Sequence, residues 1–320
     1  MKNTTVINKW ACRFALAGLS LIALPVLAQD TQNASSSEGI PAPDSQASDD
    51  KSLPTTVSTG LSEQFNTGVA TGGTMSVTRF NAGVAMPTRL TDTLVLSTSF
   101  RFGLDSYWFR NDGPWHNVYG YTLSSILQAK INDKWSVYGG GMVRQNGEAS
   151  TKFKDGITGG GIAGVNYKYS DTLSFGGGLG IMSQLEEHAT VLPLLTANWK
   201  FAEDWTLKLG LSDVASTGYG LRVSYDLSKD WQFGAGLQHQ KSRFRIKGYD
   251  SSSSGGVGQD QSTTLYADAL WHATDKMDLN GFIGLATGGN LRVENATGTE
   301  LGSSDYNTAA VIGVKASIRF

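Results

Sequence analysis

Cysteine is almost missing from this chain: among 320 residues there is one, Cys12. It falls in a stretch that reads as a removable leader, so the exported product would have no disulfides and no thiol-based metal site, even in an oxidising compartment. Histidine is scarce too, with four residues, His116, His188, His239 and His272. A basic excess is absent: the formal net charge is -2, and losing Lys2, Lys9 and Arg13 with the leader takes it to -5, which excludes a polybasic nucleic-acid surface. After residue 28 no apolar run approaches the roughly 20 residues of a membrane helix, so membrane insertion would require a closed barrel. A repeat of fixed period is also missing, which argues against a solenoid or a propeller.

The chain begins with basic residues and no acid, followed by the apolar run FALAGLSLIALPVLA and small residues at Val26 and Ala28. Residues 1–28 therefore read as a secretory signal, with cleavage before Gln29. Cys12 precedes the apolar run and lacks the residues of a lipid-attachment site. Residues 29–56, rich in Ser, Asp, Gln and Pro, hold too few large apolar side chains to offset the entropy of ordering. They read as a disordered periplasmic segment, and residues 57–320 as a single folded unit.

Within that unit, alternating segments are joined by two kinds of connection. The short kind recurs as LTDTLVL, INDKWSV, YSDTLSF, FAEDWTL, LSKDWQF and ATDKMDL, each a tight polar turn containing Asp before an alternating run restarts. Between them lie polar, Gly-rich stretches of variable length, RNDGPWHNV, NGEASTKFKD, SQLEEH, DVASTG, GYDSSSSGGVGQDQS and TGGNLRVENATGTELGSSD, which read as longer loops at the opposite end.

Each strand has one apolar and one polar face. Leu94, Leu96, Phe100, Phe102 and Leu104 alternate with Ser97, Ser99, Arg101, Gly103 and Asp105, and Trp205, Leu207, Leu209 and Leu211 with Thr206, Lys208, Gly210 and Ser212. The second faces are too polar for a sandwich core and suit a wet lumen, while the first faces suit lipid. Trp135, Tyr169, Trp199, Trp205, Tyr225, Trp231 and Trp271 cluster beside the short turns, where a periplasmic aromatic girdle is expected. The expected fold is an all-β transmembrane antiparallel up-and-down barrel of about fourteen strands, with twelve as the alternative. Its first strand comes from residues 57–66.

The last segment, AAVIGVKASIRF, alternates Ala310, Ile312, Val314, Ala316, Ile318 and Phe320 with Val311, Gly313, Lys315, Ser317 and Arg319. It resembles the closing strand of bacterial outer-membrane β-barrels, whose terminal Phe is read by the barrel-assembly machinery. That resemblance makes Phe320 the assembly signal and implies residence in the outer membrane of a Gram-negative cell, among its lipids. Segments such as VLPLLTANWKFAEDWTLKLGL and YGLRVSYDLSKDWQFGAGLQ further resemble an uncharacterised family of such barrels, a likeness that implies no activity.

Candidate lumen-lining residues are Arg101, Asp105, Arg144, Lys168, Lys208, Arg222, Asp226, Asp268 and Lys315. Their basic excess could attract anionic solutes, or the charges could pair across the interior and keep it hydrated. Triple glycines at 159–161 and 176–178 are read as places where the wall bends or an aromatic ring lies over bare backbone. Catalysis is not indicated. His239 has no serine two residues on, and His116 near Asp112 and His188 beside Glu186 and Glu187 lie in loops. No residues converge with metal-ligand spacing, and no cofactor is expected. Oligomeric state leaves no trace, because a lipid-facing surface and a subunit contact both read as apolar. The function expected is a porin-like or solute-translocating channel, the alternatives being a structural or surface-recognition barrel working through loops 247–262 and 287–306, or a membrane hydrolase.

Overall fold

The structure, a computed structural model, describes residues 53–320 except 112, 213, 215–217 and 249. The proposed signal and nearly all of the segment 29–56 lie outside the described residues. The chain runs through β1 (Thr56–Gly68), β2 (Thr74–Thr91), β3 (Leu94–Phe109), β4 (Asn117–Lys130), β5 (Trp135–Glu148), β6 (Ile157–Lys168), β7 (Leu173–Gln184) and β8 (Glu187–Ala202). It continues through β9 (Trp205–Ser212), β10 (Gly218–Asp226), β11 (Trp231–Arg245), β12 (Val257–Thr274), β13 (Met277–Glu294), β14 (Glu300–Tyr306) and β15 (Ala309–Arg319). Each of β1 to β13 pairs antiparallel with its neighbour in sequence, and β15 closes the ring onto β1 from Thr56↔Arg319 to Gln64↔Val311. Both β14 and β15 pair with β13, so they are two parts of one strand and the barrel has fourteen. Among the described residues the ring is continuous at the short-turn end, the condition for burying a sheet in lipid, while towards the other end β8 before Ala197 has no ladder to β9 and β11 beyond His239 none to β10.

The six short turns form where the sequence places them, and a polar residue one or two positions before Asp organises most of them. Asn132 Oδ1 accepts the amides of Lys134 and Trp135, Ser170 Oγ those of Thr172 and Leu173, and Ser228 Oγ those of Asp230 and Trp231. In two of these turns the Asp makes an ion pair instead, Asp133 with Lys130 at 2.8 Å and Asp171 with Lys168 at 2.7 Å. The lysine hydrogen bond holds each carboxyl below the usual carboxylate range.

The outer wall is greasy from end to end. Leu179, Leu195 and Ile283 are 61%, 58% and 63% exposed, and Leu123, Val143, Phe175, Leu237, Leu265, Ile312 and Val314 share that face. Many buried side chains are polar: Ser99, Arg101, Thr122, Ser124, Arg144, Thr158, Gln238 and Asp268 are each less than a tenth exposed, beside apolar clusters such as Ile126, Tyr138, Ile162 and Leu194. This inverts a soluble protein and defines a transmembrane β-barrel. Near the short turns Trp231 stacks on Trp271 at 5.9 Å and Trp205 lies 5.0 Å from Tyr225, while Trp135, Tyr169 and Trp199 are exposed. Inside, Tyr138 lies over bare Gly164, where an added Cβ would sit 2.3 Å from its hydroxyl. Gly164→Val should therefore expel the ring and lower the yield of folded barrel, read as heat-modifiable migration on a gel; unchanged yield would show that the ring has room to move.

Three stretches expected to be loops are folded more tightly. SQLEEH is a two-residue turn between β7 and β8, with Glu186 at φ +57. Most of the stretch 287–306 is strand, an extension of β13 that returns as β14 around residues 295–299. In the stretch 247–262, residues 257–262 belong to β12. In each, backbone pairing with the adjacent strand carries the ladder past the apolar run, since the bonds are made by main-chain groups whatever the side chain.

Candidate functional site

The alternation of β11 stops at mid-strand. From Trp231 to Leu237 its residues alternate between exposed and partly buried, whereas every residue from Gln240 to Arg245 is buried. A strand buried on both faces has protein on both sides, so here β11, still paired with β12 but parted from β10, has folded into the lumen. The backbone confirms it: Arg245 pairs in parallel with Gly147 of β5, and Asn146 Nδ2 donates to the carbonyl of Arg243. In the ring, five strands separate β5 from β11 on one side and seven on the other. The outer end of the barrel is thus pinched into two lobes.

On the larger lobe Phe244 of β11 and Ile246 just beyond it join Met75, Val77, Tyr107, Trp115, Val118, Leu291, Val293 and Tyr306 in a dry cluster. Trp115 meets Phe244 edge to face at 5.0 Å and Tyr107 at 5.7 Å. Gly258 makes that approach possible, since an added Cβ would lie 2.5 Å from Phe244 and 2.9 Å from Trp115. The stretch RNDGPWHNV, expected to be an outward polar loop, therefore sends its one large ring inward. Under this stopper Asp260 accepts from Tyr107 and Tyr306, both at 2.9 Å, and pairs with Arg79 at 3.0 Å.

The opposite face of β11 carries the charge. Arg243 forks onto Glu294 at 2.8 and 3.2 Å, donates to the carbonyl of Leu185 at 2.9 Å, and lies 3.1 Å from Glu187. Arg245 pairs with Glu186 and donates to the carbonyls of Asp155 and Gly255. Arg243 and Glu294 are each 1% exposed, so their pairing in a dry site is strong only while both members are present. Arg243, Arg245 and Glu294 escaped the sequence reading. The available signal was QHQKSRFRIK, in which the lipid-facing register turns basic.

The nominated lumen residues fall into separate groups. Arg101, Asp105 and Lys315 line one cavity of about 110 Å³ with Arg79, Asn81, Thr122, Asn146, Gln240 and Ser242. Arg222 and Asp268 form a two-point ion pair at 2.9 and 2.7 Å, and Gln232 links Arg222 to Asp226. Arg144 is buried beside Thr158, at 3.0 Å, and Lys168 sits at the rim with Asp171. Lys208 shares the inward register of Arg222 and is exposed to solvent. Of the residues weighed for catalysis, Glu186 and Glu187 are engaged by Arg245 and Arg243, and the amide of His116 donates to Glu148. Among the described residues no group of three His, Cys, Asp or Glu could hold a metal ion.

These features define a closed fourteen-strand barrel of the outer-membrane type, with an inner wall that is polar in part and a stopper built from its own chain. The chain belongs to the family described as a domain of unknown function (DUF6268), which matches residues 114–302, more than half of its length. No curated protein matches it. Among solved structures it is similar to an outer membrane channel from Pseudomonas putida F1, at 13% identity over 86% of this chain and 99% of that one, with a TM-score of 0.48. A FadL homologue of Pseudomonas aeruginosa aligns at 10% identity over 83% and 89% of the two chains, TM-score 0.44. The translocator domain of the autotransporter NalP from Neisseria meningitidis aligns at 12% identity over 85% and 90%, TM-score 0.36.

Proposed function

We propose that this protein is a solute channel of the outer membrane whose outer mouth is closed at rest by β11 and the stopper beside it. The observation that carries this is the inner wall. In its middle rows, from β15 to β5, it presents lysine, arginine, asparagine, serine, threonine and bare glycine in inward register, the lining of a hydrated path. A barrel serving only as a scaffold has no need of such a wall and is as stable with an apolar filling.

Purified protein in planar bilayers should then give discrete but infrequent current steps, because the mouth must part before ions pass. Continuous silence from correctly folded barrel, under both polarities and in variants with a weakened mouth, would remove the channel. The stopper itself favours a second reading, a recognition barrel with a sealed lumen. That reading expects partner binding to depend on residues 246–256 and 295–299, the outer turns, with conductance absent throughout.

A further inference from the structure

The rows of the barrel wall place an unusual floor beneath the stopper. Reading across the register, Lys315 pairs with Gly60, Gly60 with Asn81, Asn81 with Gly103, Gly103 with Gly120, and Gly120 with Asn146. Three of these six inward positions have no side chain. An added Cβ on Gly103 would find its nearest neighbour at 4.0 Å, so this point is open. At Gly60 and Gly120 the amides of Asn81 and Asn146 would lie 2.9 Å from an added Cβ, so each amide leans over bare backbone. The row on the stopper side holds Ser62, Arg79 and Asp105, and the row on the short-turn side Arg101 and Thr122. Facing this trough from the partition are Gln240 and Ser242, and Phe282 adds one apolar surface.

We propose that this cavity binds a small hydroxylated carboxylate, of the chemical class of sugar acids, and so sets which solutes the barrel handles; the proposal rests on the channel reading above. Three cations line the cavity against one acid, Asp105. Arg79 is committed to Asp260 on the stopper side, which leaves Arg101 and Lys315 on either flank of the glycine floor as the groups that a carboxylate meets. Both already make contacts of their own, so the incoming carboxylate exchanges with these and binds weakly enough to leave again. Paired amides and hydroxyls around a bare floor match the several hydroxyls of such a solute, and Phe282 offers a face for its C–H groups. A volume of about 110 Å³ holds several waters, whose release accompanies binding.

The test is calorimetric titration of the detergent-solubilised barrel with D-glucuronate, D-glucose and acetate. Glucuronate should bind about tenfold more tightly than either of the others, since glucose lacks the charge and acetate the hydroxyls. R101Q should weaken glucuronate binding by about tenfold, and G103L should remove it by filling the floor. K229Q, in an exposed short turn, should change nothing. Folding of each variant is checked by heat-modifiable migration, and R101Q keeps the test open if G103L does not assemble. Equal binding of glucose and glucuronate, no heat with folded wild type, or wild-type affinity in folded R101Q would each overturn the proposal. Because binding is read without current, a silent bilayer with intact binding faults the channel, and current without binding faults the site.

Discussion

Replacing Arg243 with alanine should turn rare openings into frequent ones. The side chain ties β11 to Glu294 of β13, to the carbonyl of Leu185 in the turn between β7 and β8, and to Glu187 of β8, all at the pinched mouth. Its removal strips Glu294, 1% exposed, of its two-point partner and leaves it Arg292 alone, at 3.0 Å, a loss of about 1.5–3 kcal/mol, that of a charged hydrogen bond. Even the lower figure shifts a closed-to-open ratio by about tenfold, since each 1.4 kcal/mol is a factor of ten. The wall below the mouth does not depend on Arg243, so the barrel should still assemble. The companion variant R243M/E294M removes both charges and should close the mouth again, because two apolar side chains of similar size restore packing without a half-paired carboxylate. Single-channel recording of the two variants decides the matter. If folded R243A opened no more often than wild type, the latch would have to lie elsewhere, with Arg245 and its pairing to Glu186 the next candidate.

Leu179→Arg should prevent the barrel from entering its membrane. Leu179 lies midway along β7 and is 61% exposed, which in a water-soluble sandwich would make the change nearly silent, within about 0.5 kcal/mol. Facing lipid near mid-depth, the same arginine costs about 2–4 kcal/mol and cannot easily reach water. The expected readout is loss of heat-modifiable barrel from the membrane fraction with the unassembled chain accumulating instead. Normal assembly of this variant would contradict the inverted wall on which the transmembrane reading stands. A smaller effect in the same assay is expected from deleting Phe320, whose amide donates to the carbonyl of Thr55 where the barrel closes.

What could be read from the sequence was whatever is set by neighbours along the chain. The six short turns are local, since Asn132, Ser170 and Ser228 bond to amides two or three residues on. The strand faces are local too, because successive side chains must point to opposite sides. Fourteen strands, closure of β1 on the last strand and the lipid-facing belt follow from those two rules. Arg101, Asp105 and Lys315 could be assigned to the inner wall by the same parity, but nothing in their spacing brings them to one cavity.

The partition was not legible, and its physical reason is distance along the chain. Asn146 meets Arg243 across 97 residues, and Arg79 meets Asp260 across 181. Period two says which face a residue occupies, but not what lies opposite that face. For β11 the lipid side of the lower half becomes, above Leu237, a surface packed on another part of the same wall. A polar run such as QHQKSRFRIK is equally compatible with a strand projecting into water and with one folded into a lumen, and only the partners Glu186, Glu187 and Glu294, supplied by distant strands, select the second. The sequence by itself thus determined the wall and its two faces. Whether that wall encloses an open bore or a closed one was decided by the tertiary structure, because charges buried at the mouth are stable only where the fold brings their counter-charges to meet them.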